Sequence, residues 1–121
     1  MKRIAILGST GSIGCNALSV VDAHGSRLEV VSLAAGENVT RFVEQVIRYR
    51  PRAIAMASPS ALEEIQSALK ASGSAAVDQA GSGVEGLTAV ATHPDVDLVL
   101  CASSGTAALE AVLAAIEAGK T

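Results

Sequence analysis

A glycine-rich stretch near the amino terminus holds the residues whose types and spacing are best suited to bind a ligand. Residues 8–14 read GSTGSIG and directly follow the apolar run Ile4-Ala5-Ile6-Leu7. Gly8 allows a tight turn out of the strand that this run predicts, and Gly11, which has no Cβ, lets the backbone approach a pyrophosphate closely. Gly14 lets the following helix pack closely against the sheet. Strand, glycine motif and helix in this order are typical of a dinucleotide-binding turn.

The helix that follows the turn gives an electrostatic reason for phosphate binding. Its first amide N–H groups have no partner inside the helix and carry a partial positive charge. Thr10 and Ser12 add hydroxyl donors at the same place. The spacing is GxxGxxG rather than GxGxxG, a variant that several oxidoreductase groups use. The alternative is a glycine-rich turn that binds nothing, and the order of the elements favours the dinucleotide.

The end of the second apolar run bears on the choice between NAD and NADP. An acidic residue there accepts hydrogen bonds from the ribose 2′-OH of NAD, whereas an NADP site leaves room for a phosphate and often adds a basic residue. Gly36 leaves room for a 2′-phosphate, Asn38 offers an amide donor, and Arg41 offers charge. Glu37 opposes this interpretation, unless it pairs with Arg41 across four helical positions. NADP is slightly favoured.

Other residues with chemical potential have simpler interpretations. Cys15, in the first turn of the first helix, is either a reactive thiol or a small packing residue, and we expect packing for it and for Cys101. His24 and His93 are expected to end helices rather than to bind a ligand. Residues 103–105, SSG, follow a strand at its carboxyl end and either contact the nicotinamide half of a cofactor or cap the last helix.

Short apolar runs alternate with helical patterns along the whole chain, which predicts an α/β fold with a mostly parallel sheet. The pattern predicts a Rossmann-like doubly wound sheet, and a further strand is expected after Gly119-Lys120-Thr121, so the domain is expected to be incomplete at its C-terminal end. Strands are predicted at 4–7, 28–33, 53–56 and 96–101, with a short one at 75–77, and helices at 12–23, 38–49, 58–71, 84–91 and 107–118.

Composition excludes several classes of protein. The chain has 121 residues, enough for one domain, and a net charge of −3 with nine basic residues and two aromatic ones, which argues against a nucleic-acid-binding surface. The apolar runs are too short for a transmembrane span or a signal peptide. Two distant cysteines form neither a zinc motif nor CxxC. We therefore expect a cytoplasmic domain that binds neither nucleic acid nor a membrane.

Four ordered segments together resemble the amino-terminal signature of the 1-deoxy-D-xylulose 5-phosphate reductoisomerase family. They are ILGSTGSIG at 6–14, AAGENV at 34–39, RPR at 50–52 and AAIEAGKT at 114–121. The resemblance covers essentially the whole chain. Other reductases share the glycine motif alone, whereas the ordered set of four is much more specific.

The resemblance implies an enzyme that rearranges 1-deoxy-D-xylulose 5-phosphate and reduces the product with NADPH to 2-C-methyl-D-erythritol 4-phosphate, in isoprenoid precursor synthesis by the non-mevalonate route. It assigns NADPH contacts around the pyrophosphate and ribose to Thr10, Gly11, Ser12 and Ile13, and the 2′-phosphate to Gly36 and Asn38. Two segments depart from it: family members commonly carry Lys or Arg at the position of Glu37, and residues 102–108 are more polar than usual.

The resemblance also implies which parts of such an enzyme are not among residues 1–121. Residues 1–121 correspond to an amino-terminal NADPH-binding domain, while the divalent metal site (Mg or Mn), the catalytic residues and the sugar phosphate site are expected beyond Thr121. The chain by itself is expected to be inactive, and the full-length protein is expected to be a homodimer. Two alternatives are another GxxGxxG reductase, such as a semialdehyde dehydrogenase, and a free-standing nucleotide-sensing module.

Overall fold

The computed structural model describes residues 2–73, 77–102 and 106–121, in which five strands alternate with five helices. The strands are β1 (Lys2–Leu7), β2 (Leu28–Ala34), β3 (Ala53–Met56), β4 (Gln79–Ser82) and β5 (Leu98–Cys101). The helices are α1 (Ser12–Ala23), α2 (Val39–Tyr49), α3 (Pro59–Ala71), α4 (Gly83–Thr92) and α5 (Thr106–Glu117). None of the helices in these ranges is long and apolar enough to cross a membrane.

The five strands form one parallel sheet in the order β4-β3-β2-β1-β5. Helices α1, α2 and α3 supply one apolar core, and α4 and α5 supply a second core on the opposite face. The predicted doubly wound, Rossmann-like sheet is therefore confirmed. Because the chain changes faces between the units that begin with β1 and β5, the crevice that binds ligands in such sheets lies at the carboxyl ends of these two strands.

Successive side chains of a strand point to opposite faces of the sheet, and this explains the two cores. In β1, Ile4 and Ile6 face α1 and its neighbours, whereas Ala5 and Leu7 face α4 and α5. The first core contains large side chains such as Phe42. The second core is rich in alanine, so its helices lie close to the sheet. A strand that is buried on both faces shows an unbroken apolar run in the sequence, which is why β1 was predictable.

The fourth strand is the element that the sequence placed wrongly. Positions 75 and 76 of the short strand predicted at 75–77 lie outside the described residues, and Val77 belongs to no strand. Instead β4 is formed by residues 79–82, QAGS, at the edge of the sheet beside β3. None of these residues is β-branched or strongly apolar, so their strand conformation comes from pairing with β3 rather than from local preference.

The ends of the helices follow their local sequence. His24 ends α1, and its backbone N–H donates to the carbonyls of Val20 and Val21. His93 ends α4, and its Nδ1 accepts a hydrogen bond from the Asp95 N–H at 3.1 Å. Both histidines therefore occupy the helix-end positions predicted for them.

Candidate dinucleotide-binding site

The glycine-rich turn joins the end of β1 to the start of α1 and is fastened to β2. Gly8 has a φ of 84°, a left-handed conformation that a residue with a Cβ rarely adopts. The N–H groups of Gly8 and Ser9 both donate to the Ala34 carbonyl, at 2.8 and 2.9 Å. The turn is thus held at the carboxyl ends of two neighbouring parallel strands.

Gly14 and Gly11 play different parts in this turn. A Cβ on Gly14 would lie 2.2 Å from the Gly8 carbonyl oxygen and 2.6 Å from the Ser9 Cα, so α1 contacts the turn backbone at this point. Gly14 does allow close packing, but against the backbone of the turn rather than against the sheet as expected. A Cβ on Gly11 would meet only the Gly8 oxygen at 3.6 Å, an ordinary contact. The fold therefore does not require glycine at position 11. The space beside its backbone is open, so a ligand can approach there.

Among the described residues, no side chain caps or neutralises the amino terminus of α1. Its N-cap residue, Gly11, has no side chain to accept a hydrogen bond, and the first turn contains no acidic residue. Ser12 and Ile13 are exposed in that turn, and Thr10 is half-buried beside it. The hydroxyls of Thr10 and Ser12 donate to nothing in the described part of the chain. Amide and hydroxyl donors, together with the positive end of the helix dipole, make this place suitable for a phosphate.

The second predicted half of the site follows β2. Gly36 is exposed, and a Cβ added there would meet nothing within 4 Å. The Asn38 side chain caps α2, because its Oδ1 accepts the Arg41 N–H at 3.2 Å. Capping uses the amide oxygen and leaves the Nδ2 group as a donor. The structure therefore places these residues at two adjacent strand-to-helix connections, at the carboxyl ends of β1 and β2: Thr10, Gly11, Ser12, Ile13, Gly36 and Asn38.

The proposed pairing of Glu37 with Arg41 is wrong. The ion pairs of the described residues do not include these two side chains. Helix α2 begins at Val39, so Glu37 precedes the helix and the geometry of two positions one helical turn apart does not apply. Arg41 instead extends towards the glycine-rich turn, where its Nη1 donates to the Thr10 carbonyl at 3.4 Å.

Gln45 is a residue of this site that sequence reasoning missed. Its amide makes two hydrogen bonds to Ser9: its Oε1 accepts from the Ser9 Oγ at 2.7 Å, and its Nε2 donates to the Ser9 carbonyl at 2.8 Å. Ser9 is 0% exposed and Gln45 is 8% exposed. The available signal was a glutamine on the apolar face of α2, between Phe42 and Val46, because a buried amide at such a position needs a polar partner.

Cys15 lies against the same turn. Its Sγ contacts the carbonyls of Ser9 and Thr10, at 3.7 and 3.6 Å, and it lies 3.5 Å from the Arg41 Nη1. The thiol is half-buried, as expected for a small packing residue, although its neighbours are polar. Cys101 is exposed at the end of β5, so the packing predicted for it is wrong.

A second glycine-rich turn, between β4 and α4, provides an internal comparison. Residues 81–86 read GSGVEG, and a Cβ on Gly86 would lie 2.6 Å from the Gly81 carbonyl carbon. This close approach repeats the geometry at Gly14. However, Glu85 lies in the first turn of α4 and occupies the positive end of that helix with a carboxylate. Between these two turns, only the one at α1 is electrostatically suited to a phosphate.

Two further features considered from the sequence are the segment 103–105 and a possible metal site. The segment Ser103-Ser104-Gly105, considered for the nicotinamide side, lies outside them. Within them, no group of three or more histidine, cysteine or acidic side chains is arranged to hold a metal ion.

The fold is that of an α/β domain of the Rossmann class, and the candidate site lies where such domains bind dinucleotides. A family model described as 1-deoxy-D-xylulose 5-phosphate reductoisomerase matches residues 4–121, so the chain belongs to that family. It is 49% identical over 120 residues to the reductoisomerase of Anaeromyxobacter sp. (strain K), covering 99% of this chain and 30% of the relative. It is 47% identical to that of Symbiobacterium thermophilum, covering 98% of this chain and 31% of the relative. The alternative of a semialdehyde dehydrogenase is thereby set aside.

Solved structures of 1-deoxy-D-xylulose 5-phosphate reductoisomerases share the fold. One, a complex with NADPH, fosmidomycin and magnesium, superposes with a TM-score of 0.89 at 31% identity and covers 99% of this chain and 29% of its own. The enzyme from Zymomonas mobilis in complex with NADPH superposes with a TM-score of 0.85 at 32% identity, covering 98% of this chain and 30% of its own. The chain thus spans less than a third of the length of the relatives it matches.

Proposed function

We propose that residues 1–121 are the NADPH-binding domain of a 1-deoxy-D-xylulose 5-phosphate reductoisomerase. The observation that carries the proposal is the uncapped amino terminus of α1 behind a glycine turn, in a chain that matches this family from residue 4 to residue 121. The full protein would rearrange 1-deoxy-D-xylulose 5-phosphate and reduce the product to 2-C-methyl-D-erythritol 4-phosphate. The protein would then act in the non-mevalonate route to isoprenoid precursors.

Within this proposal each site residue has a physical task. The amides of Ser12 and Ile13, at the positive end of α1, bind the pyrophosphate. Gly11 lets the pyrophosphate approach the backbone, and the Thr10 hydroxyl donates to it or to the adjoining ribose. On the neighbouring loop, Gly36 leaves space for the adenosine 2′-phosphate and the Asn38 Nδ2 donates to it.

The reaction needs two groups in addition to these residues. NADPH supplies the hydride for the reduction, and the described residues bind and orient it. A divalent metal, magnesium or manganese, is expected from the family, and related enzymes have been solved with magnesium. The described residues do not fit that ion, because no suitable cluster of ligands lies among them. We therefore assign the metal, the sugar phosphate and the catalytic groups to residues other than those described.

The proposal extends to the activity of residues 1–121 alone and to the location and oligomeric state of the full-length protein. The relatives are more than three times as long as this chain, which supports the proposal that residues 1–121 alone bind NADPH without turning over the substrate. A homodimeric full-length protein is proposed on the family resemblance alone, and a cytoplasmic location on the composition of the chain. Sedimentation of the natural protein tests the dimer.

The first experiment is the intact mass of the protein from its own cells. We expect a mass several times 12.1 kDa, after which turnover is measured as consumption of NADPH with 1-deoxy-D-xylulose 5-phosphate. Absence of turnover by the natural protein would contradict the reductoisomerase proposal. A natural mass of 12.1 kDa would instead favour a free-standing nucleotide-sensing module.

The assignment of the phosphate site is tested with Gly11→Val. A side chain at this position obstructs the pyrophosphate while the fold has room for its Cβ, so NADPH binding should be lost without loss of folding. Gly25→Val is the matched control, because Gly25 is exposed and its added Cβ would meet only the Val21 oxygen at 3.9 Å. Unchanged NADPH affinity in Gly11→Val would remove the assignment.

A further inference from the structure

Within the described part of the chain, Arg41 has no carboxylate partner, and it lies beside the proposed site. Among the described arginines, Arg3, Arg48 and Arg52 form ion pairs with acidic side chains, whereas Arg41 forms none. Its Nη1 contacts are the Thr10 carbonyl at 3.4 Å and the Cys15 Sγ at 3.5 Å. The contact with the Thr10 oxygen is longer than a good N–H···O hydrogen bond, so an anion could compete for the guanidinium with little opposition.

The backbone position of Arg41 is fixed relative to the glycine-rich turn. Arg41 lies in the first turn of α2, where its own N–H is bound by the Asn38 cap. Gln45 lies one helical turn further along the same face, and its two hydrogen bonds to Ser9 tie α2 to the turn. The guanidinium therefore lies beside Thr10, next to the phosphate position proposed at α1, and the Arg41 backbone lies beside Asn38, which is proposed to bind the 2′-phosphate.

Glu37 adds an opposing charge on the same loop. It is exposed, and neither Arg41 nor another described cation forms an ion pair with its carboxylate. An acidic residue after the second strand is the group that accepts the 2′-OH of NAD, while an arginine nearby is the group that accommodates the 2′-phosphate of NADP. This chain carries both, and they do not neutralise each other.

We infer that Arg41 is the residue that selects ligands with a 2′-phosphate, and that Glu37 reduces this selectivity by repelling the phosphate. The inference rests on the proposed binding of NADPH and deepens it. The protein should consequently retain measurable affinity for NADH, because the Glu37 carboxylate can accept the free 2′-OH. Selectivity should also fall as salt screens the guanidinium.

The test measures binding to the natural protein, without turnover. The probes are adenosine 2′,5′-bisphosphate and adenosine 5′-monophosphate, which differ only in the 2′-phosphate, and then NADPH and NADH. Arg41→Gln should weaken binding of the 2′-phosphorylated probes about tenfold or more and change binding of the other two about twofold at most. Arg41→Lys should be intermediate, because lysine keeps the charge but loses the fork of donors. Arg27→Gln, an exposed arginine before β2, changes the net charge equally and should leave selectivity unchanged.

Glu37→Gln should act in the opposite direction. Removing the carboxylate should tighten binding of the 2′-phosphorylated probes by about fivefold or less at low salt, and should weaken NADH binding. The inference is overturned if Arg41→Gln and the wild-type protein prefer 2′-phosphorylated probes to the same degree. Failure of the wild-type protein to bind NADPH or the bisphosphate would be a different result, because it would refute the proposed function itself.

Discussion

Gly14 shows how a single missing side chain sets the geometry of the site. An alanine Cβ there would overlap the backbone of Gly8 and Ser9, which cannot move without releasing its hydrogen bonds to β2. We expect Gly14→Ala to lower the free energy of unfolding by about 3 kcal/mol or more. Gly36→Ala is the control, since its Cβ enters open space and should change stability by about 0.5 kcal/mol at most. Urea denaturation measures both, and equal stability of the two variants would contradict the contact.

Tyr49 provides a second prediction at the residue scale, from its ionisation. Burial raises the pKa of Tyr49 above its ordinary value of 10.0, and the hydrogen bond that its hydroxyl donates to Asp22 at 2.9 Å raises it further. The folded state thus favours the neutral phenol, and this stabilisation is present below pH 10 and lost as the pH rises through the folded-state pKa. Tyr49 is the only tyrosine of the 121 residues, so tyrosinate absorbance of this chain follows it alone.

In that titration the midpoint should lie above pH 10.0 and should move down in Asp22→Asn. The substitution removes the negative charge of Asp22 and leaves only a neutral, weaker acceptor for the Tyr49 hydroxyl, while the neighbouring Arg48, which lowers the pKa, remains. A wild-type midpoint at or below 10.0, or no change in the variant, would contradict the Tyr49–Asp22 interaction.

At the scale of elements, the Ser9–Gln45 pair ties α2 to the turn before α1. Gln45→Leu removes the amide partner of two buried polar groups of Ser9, leaving the hydroxyl unpaired and the carbonyl with only the Cys15 thiol at 3.7 Å, and should destabilise the protein by about 1–3 kcal/mol. Ser9→Ala in the same chain removes one of these groups, so the double variant should be more stable than the sum of the single losses implies. Gln66→Leu, at an exposed position of α3, is the matched control. Additive losses in urea denaturation would show that the pair is not coupled.

Elements differ in how far the sequence could predict them. The bounds of α1 were predicted correctly because a glycine turn begins it and His24-Gly25 ends it. Strand β4 could not be predicted because its strand conformation depends on β3, more than twenty positions earlier in the chain. The Ser9–Gln45 contact joins residues 36 positions apart, and the sequence indicated only that a glutamine interrupts an apolar face. Turns and helix ends are determined by neighbouring residues in the sequence, whereas pairing across the sheet depends on residues far apart in the chain.

For the whole molecule, alternation of strands and helices predicted a parallel sheet but not the order of its strands. The order follows from packing: β5 returns to pair with β1, which places α4 and α5 on the face that α1, α2 and α3 leave open. This return creates the change of faces beside which the glycine turn lies. The position of the candidate site therefore depends on the order of all five strands, although its residues lie at only two strand-to-helix connections.

The outer edge of β5 carries the last prediction. Thr121 already pairs along this edge, since its N–H donates to the Asp97 carbonyl and its carbonyl accepts the Val99 N–H at 2.7 Å. Leu100 is exposed nearby, and α5 exposes Leu109, Leu113 and Ile116. Because an edge strand next to exposed apolar side chains can pair with a strand of a second chain, we expect the 121-residue chain to self-associate.

Leu100→Lys should reduce this association, because a charged residue on an edge strand opposes pairing with a second chain. Ile47→Lys is the control: Ile47 is 42% exposed, close to the 37% of Leu100, but it lies on α2, which connects β2 to β3 away from the edge. Sedimentation velocity in reducing buffer compares the three chains over a range of concentrations. If β5 is the contact, only Leu100→Lys shifts the distribution towards the monomer. Equal shifts in both variants would mean that net charge rather than the strand edge controls association.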